Sequence, residues 1–575
     1  MTIWAATVGV AAMAIGLSCN ASQLFPILFE GEFPTNDARP ISVSIFQGPA
    51  LNNRQEMGVL NLQPSSSRPS PMLVRNGSAT VLLDVGDTLP DGLTYDGVFN
   101  EGLALNDAGT LGFSLDAFGD NPNSGREQIV LQDGLTTTQI LREGDPAPGG
   151  GLLFTNGVRS VILNEAGQAA FSARLFGEDV TSSSDEGIYR WNPDTGSLIN
   201  IVRKGQSAPG GGTFTGTAFQ SNEQFATPRM NNAGSVIFSA DVRGTSFGDQ
   251  GIFRYDDGPG GGTITNIVRQ GDALPGGGTA DVLTFTSPAI NDAGLVAFTG
   301  SVDINSSLEG VYTSDGTGID LVARFGTPVP GTNRGIRRVS RRVDLSNQGD
   351  VVFSSNGGLY VRERGGFLNE LVFDGLTTPA GDETFRSYSN DDFSMSANGH
   401  IAFTAGVNTS SGTTRALFLF TPGQGLEEVV REGQSFNGST ITDFNFQTST
   451  DNSYSGLNDR GELAFVYRLA SGGDGIALWA DALRIGVTGD YTGNGQVEQG
   501  DLNLVLNNWG GPRGAWSNAD GLTTSTVDQE ELNRVLNNWG DAAAPSFAAN
   551  PGVVPEPGSL GLLTVISACM LRRRH

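Results

Sequence analysis

Asp490-Tyr491-Thr492-Gly493-Asn494-Gly495-Gln496-Val497-Glu498-Gln499-Gly500-Asp501 concentrates oxygen donors within one short stretch. Asp490, Thr492, Asn494, Glu498 and Asp501 stand at positions one, three, five, nine and twelve of that stretch, and the peptide carbonyl of Gln496 falls at seven. Donors at this spacing wrap a hard cation of calcium's size, and Gly495 occupies position six, where such a loop must turn sharply. Leu502, Val505, Leu506 and Trp509 follow at i, i+3, i+4 and i+7, the apolar stripe of a helix. The same stripe returns thirty residues later as Leu532, Val535, Leu536 and Trp539. The segment before it keeps donor types at Asp520, Thr524, Asp528 and Glu531, but Leu522 holds the third position and Ser525 replaces the turn glycine. We therefore expect calcium in the first loop and a weak second site in the degenerate one. Leu502, Val505 and Trp509 should then pack against Leu532, Val535 and Trp539.

Other chemistries are thinly supplied. Cys19 and Cys569 are the only cysteines, both in terminal segments, so the body has no disulfide framework and no thiol nucleophile. His400 is its one histidine, since His575 ends the chain. A Ser/His/Asp triad would depend on it, and a His-rich zinc site cannot be built. His400 occupies a slot where other repeats carry Gln168, Ser235, Leu295, Asp350 or Glu462, which reads as an exposed, undemanding position. Arg334, Arg337, Arg338, Arg341 and Arg342 form the only basic cluster of an acidic body. They suit either a solvated strand flank or the binding of sulfated or carboxylated sugars. Carboxylates are plentiful, yet no acidic pair stands out from the repeats as a glycosidase would require. The formal net charge of −27 argues against nucleic acid as a partner.

The elements that carry these residues are repeated. Leu105-Asn106-Asp107-Ala108-Gly109 leads to Phe113, and Leu163-Asn164-Glu165-Ala166-Gly167 leads to Phe171. Met230-Asn231-Asn232-Ala233-Gly234, Ile290-Asn291-Asp292-Ala293-Gly294, Leu345-Ser346-Asn347-Gln348-Gly349, Ala397-Asn398-Gly399 and Leu457-Asn458-Asp459-Arg460-Gly461 do the same before Phe238, Phe298, Phe353, Phe403 and Phe465. A worn copy, Leu51-Asn52-Asn53-Arg54-Gln55, precedes them all. Each Asn should bond the backbone two residues on, with Gly taking the positive φ that closes the turn. Three further elements travel with this one: a strand such as Ile201-Val202-Arg203, a Gly/Pro turn such as Pro148-Gly149-Gly150-Gly151, and a strand such as Gly187-Ile188-Tyr189-Arg190. Four short antiparallel strands per repeat cannot bury both faces of their sheet, but copies stacked radially can. The fold class is therefore mainly β, tandem four-stranded repeats in a β-propeller of about eight blades, with an open β-solenoid as the second architecture. The abundance of Gly, 81 residues, fits so many turns.

Both ends read as addresses. Ile3 to Leu17 is short and apolar and runs into Ser18-Cys19-Asn20-Ala21, as in a signal peptide cleaved after Ala21. Val554-Pro555-Glu556-Pro557, an apolar run from Leu560 to Leu571, and Arg572, Arg573 and Arg574 close the chain. That order resembles a PEP-CTERM sorting signal, which implies processing by an exosortase-type enzyme near Pro555, Glu556 and Pro557. The arginines would stay on the cytoplasmic side during transient membrane anchoring.

The repeats resemble a choice-of-anchor tandem-repeat family named for an NxxGxxxAF motif, matched to its last letters by Ala170-Phe171, Ala297-Phe298, Ala402-Phe403 and Ala464-Phe465. The duplicated loop–helix resembles a type I dockerin, a relative of the EF-hand, which implies calcium and a cohesin-like partner. Its specificity pairs, Gln499-Gly500 and Gln529-Glu530, depart from that family's Ser/Thr-like residues. The organisation expected is a signal peptide over 1–21, the repeat domain over 22–482 and the small α-helical calcium module over 483–541. A linker over 542–553 and the sorting signal over 554–575 complete it. Such a chain is an exported structural or adhesion protein of the cell surface or matrix, partnered by exopolysaccharide or a cohesin-like protein. The alternative is a carbohydrate-binding or polysaccharide-degrading extracellular protein.

Overall fold

Residues 22–481 are described by the computed structural model except 38, 45–46, 63–68, 76–77, 119–124, 155–160, 217–227, 245–249, 259–260, 282–286, 303–307, 387, 389–391 and 448–454. Positions 497, 499–507, 509–510, 527, 529–537 and 539 are described as well. The strands form eight small antiparallel sheets set in a ring, the arrangement of an eight-bladed β-propeller, with blades numbered 1 to 8 in chain order from the sheet that begins at Ala50–Leu51 to the one that contains Leu463–Leu469. In blade 3, Leu152–Phe154 and Ile162–Leu163 both pair with Ala169–Phe176, which is followed by Glu186–Asn192 and Ser197–Arg203. Blade 4 repeats the order with Thr213–Gly216, Arg229–Met230, Val236–Arg243, Gln250–Asp256 and Thr263–Arg269.

The repeated Phe earns its place by packing. Phe171 faces Tyr189 across the ladder, Phe238 faces Phe253, and Phe298 faces Tyr312, with ring centroids 6.3, 5.7 and 5.7 Å apart. Aromatic pairs at such spacing add roughly 0.5–1.5 kcal/mol to the burial of their area. Eight hydrophobic clusters make up the propeller's core, and each straddles two neighbouring blades. Ala104, Ile129 and Leu131 of blade 2, for example, lie against Phe171, Ala173 and Tyr189 of blade 3. The core is thus a set of wedges between blades, so no blade is complete alone.

The ring is closed by the first strand. Gln23–Phe29 pairs antiparallel with Asp474–Ala480 and becomes the outermost strand of the last blade, whose other members are Leu463–Leu469, Ser439–Asn445 and Ser435–Phe436. Leu24 and Phe29 pack on the wedge between blades 7 and 8, and Leu28 sits in the wedge between blades 8 and 1. An open solenoid has no such contact between its ends, and that second architecture is set aside.

The helical expectation holds for Gln499–Asn507 (α1) and Gln529–Asn537 (α2), which pack on each other. Val505 and Val535 are fully buried between them with Val497 and Val527, and Leu502, Leu504 and Leu532 close over this core. Trp509 and Trp539 do not join it: each keeps 47% of its surface exposed. The stripe at i+7 presumes a helix that continues, whereas α1 stops at Asn507 and α2 at Asn537, so each indole leaves the buried face. Among the described residues no helix is long and apolar enough to cross a membrane. The expected signal peptide and the sorting-signal segment lie outside them.

Closure by the first strand gives a direct test. Leu28→Ala should lower stability by about 2–5 kcal/mol in chemical denaturation, as for any large core side chain, although it lies six residues from the start of the described chain. A change under about 0.5 kcal/mol would mean that the strand is dispensable.

Candidate functional site

The Asn–Gly turns line the propeller's axis, and there the sequence motif does more than close a turn. Asn164 Oδ1 accepts the N–H of Gln168 at 2.9 Å and Asn231 Oδ1 that of Ser235 at 2.8 Å, so the local bond reaches the fourth residue, not only the second. Gly167 and Gly234 take φ of 73° and 82°, as the turn requires. The Asn amide then leaves its own blade. Asn52 Nδ2 donates to the carbonyl of Asn106, Asn106 to Asn164, Asn164 to Asn231, Asn231 to Asn291, Asn291 to Ser346, and Asn458 back to Asn52.

A second ring lies beside it. The backbone N–H of Asn53 donates to Asp107, Asp107 to Glu165, Glu165 to Asn232, Asn232 to Asp292 and Asp292 to Asn347, each through the recipient's side-chain oxygen. Asn347 N–H donates to the Ala397 carbonyl, Ala397 N–H to Asp459 Oδ1, and Asp459 N–H to Asn53 Oδ1. All eight blades are linked at 2.7–3.1 Å. Sequence reasoning missed this relay. Its signal was present in the polar residue after the motif's first position in every copy but one: Asn53, Asp107, Glu165, Asn232, Asp292, Asn347 and Asp459, with Ala397 the exception.

Four of these residues are acids, and their field falls on Glu165. Loss of hydration within the ring, with the carboxylates of Asp107, Asp459 and Asp292 adding to it, pushes Glu165 up to about 7. The N–H of Asp107 opposes this by stabilising the charged form. Among the described residues no group of three or more His, Cys, Asp or Glu side chains is placed to hold a metal ion.

The slot after the turn glycine is not the undemanding surface position its variability suggests. Glu56 and Glu462 there are buried. A Cβ on Gly109, Gly234 or Gly461 would meet Glu56, Gln168 or His400 of the preceding blade within 2.5–2.7 Å. At these three places the slot residue only has to cover the next blade's glycine, so its identity can vary. His400 does so half-buried, its Nδ1 3.4 Å from Ser396 Oγ, and loss of hydration holds it below its ordinary value. It is a packing residue.

Of the expected calcium ligands, Asp501 and Glu531 lie within the described residues. Both are completely buried, in the first turns of α1 and α2. Asp490, Thr492, Asn494, Gln496, Glu498, Asp520, Thr524 and Asp528 lie outside them, as do Pro555, Glu556, Pro557, Arg572, Arg573 and Arg574.

The arginine cluster divides. Arg334 pairs with Glu370 and stacks 3.7 Å above the Phe373 ring. Arg342 is buried, pairs with Asp344 at 3.2 Å and covers Phe393. Arg337 and Arg338 are exposed, with no side-chain partner among the described residues. The side chain of Arg341 lies outside them.

With this geometry in hand, the chain can be placed. It is an eight-bladed propeller protein, and it belongs to the family of unknown function DUF7453, whose model matches residues 3–272 and 260–483. No curated protein matches its sequence. Among solved structures it is similar to an oligogalacturonate lyase in complex with manganese (11% identity, 69% of this chain, 97% of that chain, TM-score 0.35). It is also similar to an acylaminoacyl peptidase of Pyrococcus horikoshii (12%, 73% of this chain, 57% of that chain, TM-score 0.33) and to the polysaccharide lyase Uly1 (10%, 70%, 98%, TM-score 0.33).

The axis relay makes a pH prediction. Glu165 titrates higher in the fold than in the unfolded chain, so its contribution is fully present below the ordinary carboxylate range and is lost as pH rises through about 7. Glu165→Gln keeps the acceptor and removes the titration. Relative to the parent it should gain stability progressively from pH 4.5 to 7.5 in urea unfolding. The gain should stay under about 1 kcal/mol, because Glu165 also faces solvent. A difference constant across that window would remove Glu165 as the titrating group.

Proposed function

We propose that this chain is an exported binding scaffold of the cell surface or extracellular matrix, in which the propeller presents surfaces and the C-terminal helix pair is a calcium-held docking module. The observation that supports it most is the complete burial of Asp501 and Glu531 at matching places in two matching helices. A carboxylate taken out of water needs a cation or several hydrogen-bond donors, and both residues end the acidic segments read as calcium loops. The duplication extends to detail: Gln499 bonds Asn503 and Gln529 bonds Asn533, both at 3.0 Å. Export rests on the apolar run before Ala21, and anchoring on the tail from Pro555 to Arg574 handled by an exosortase-type enzyme. The exposed Leu506, Trp509, Leu536 and Trp539 give the helix pair an apolar surface suited to a protein partner, cohesin-like or otherwise. Inside the propeller the single histidine is used in packing, which favours binding over catalysis.

Calorimetry on the chain from residue 22 should show one calcium ion bound with a dissociation constant on the order of 10⁻⁶ to 10⁻³ M. The ion should be lost in Asp490→Ala and accompanied by a change in Trp fluorescence. Binding that survives Asp490→Ala unchanged would move calcium elsewhere, and no heat at all would remove it from the account.

A further inference from the structure

We propose that a groove between blades 5 and 6 binds an anionic polysaccharide through its carboxylate or sulfate groups. It lies along the connection from Ile319–Arg324, the outermost strand of blade 5, to Val339–Leu345, the innermost strand of blade 6. Antiparallel alternation puts this connection on the face opposite the Asn–Gly turns. Phe325, Thr332, Asn333, Arg334 and Arg337 line a hollow of about 490 Å³. A neighbouring hollow of about 270 Å³ shares Phe325 and continues over Gly276, Gly277, Gly278 and Glu309.

The side chains divide into those already occupied and those presented to solvent. Arg324 donates to the carbonyl of Gly276 and fixes the glycine turn, and Glu309 Oε2 accepts the N–H of Val339 at 2.8 Å. Arg334 is held by Glu370 and by the Phe373 ring. Arg337 and Asn333 have no side-chain partner among the described residues, and Phe325 keeps 46% of its surface in water. The groove therefore offers an uncommitted guanidinium, an amide and an aromatic face. A guanidinium fork matches the two oxygens of a carboxylate or sulfate. A flat aromatic face accepts the apolar side of a sugar ring, and the amide serves hydroxyls, the mixture expected of a polar-ligand pocket. The net charge of −27 opposes a polyanion at a distance. At physiological salt the screening length is about 8 Å, so the cation at the contact governs. The inference rests on the extracellular reading above only for the class of ligand.

The test is calorimetric titration of the chain from residue 22 with three hexasaccharides: a uronic-acid oligomer, a sulfated oligomer and neutral cellohexaose. One or both charged probes should bind at one site, which identifies carboxylate or sulfate as the preferred group, and cellohexaose should bind at least tenfold more weakly. Phe325→Ala and Arg337→Ala should each weaken binding about tenfold or more. Arg337→Lys should recover part of the loss, and Arg338→Ala, next to but outside the groove, should change it less than twofold. Circular dichroism identical to the parent keeps misfolding out of the comparison. Failure of both charged probes, equal binding of cellohexaose, or indifference to Phe325→Ala and Arg337→Ala would overturn the proposal. Calcium is read separately through Asp490, so either reading can fail without the other.

Discussion

At the axis of this propeller, each blade's turn donates a backbone N–H that the next blade accepts, and the sequence of donations returns to its start. Asp459 donates to Asn53 across 406 residues of chain, the same step that Asp107 makes to Glu165 across 58. The Asn amides beside this relay are buried, and a buried donor left without an acceptor costs roughly 1–3 kcal/mol, so the step from Asn458 to Asn52 favours a closed ring over an opened one. The apolar wedges demand the same closure, because each takes its residues from two neighbouring blades. The two requirements coincide in the last blade, where the first strand of the chain fills the outer place.

The relay also explains which departures from the motif are tolerated. Ser346 and Ser396 stand where other blades have Asn, and each still accepts the N–H of the fourth residue on, at 3.0 and 3.3 Å. A hydroxyl is too short to reach the next blade, and the amide ring is interrupted at both places while the backbone ring continues. In the first blade Gln55 takes the glycine position at φ 60°, a conformation that costs a non-glycine residue of order 1 kcal/mol, and its amide is held by Glu462 at 2.8 Å. Arg190 and Arg254 reach forward to the turn carbonyls of Gly234 and Gly294, adding a tie between blades at a larger radius.

Much of this architecture was legible because its physics is local. The alternation around Phe171 or Phe298, the positive φ of Gly167 and the four-strand repeat are set within a few residues of chain, so the pattern alone locates them. The relay is set by residues some sixty positions apart, and only their shared polarity hinted at it. The slot holding His400 differs for a related reason: its variability suggests exposure, whereas the position only has to cover Gly461. Trp509 and Trp539 depart from the stripe because periodicity says which face a residue would occupy, not where the helix stops. Among the arginines, charge marked the cluster, but only the fold separates the committed Arg334 and Arg342 from the free Arg337.

The functional reading follows from what the ring leaves over. Its axis is committed to closure, its single histidine to packing, and its blade connections are free to differ, as the groove beside Phe325 does. All of this depends on the ring opening as one unit. Native-state hydrogen exchange resolved to single amides tests that most directly, at Asn53, Asp107, Glu165, Asn232, Asp292, Asn347, Ala397 and Asp459. All eight N–H groups should exchange with one common free energy equal to that of global unfolding. Exchange of one or two blades' amides several kcal/mol below the rest would show that the blades open independently and would contradict the account.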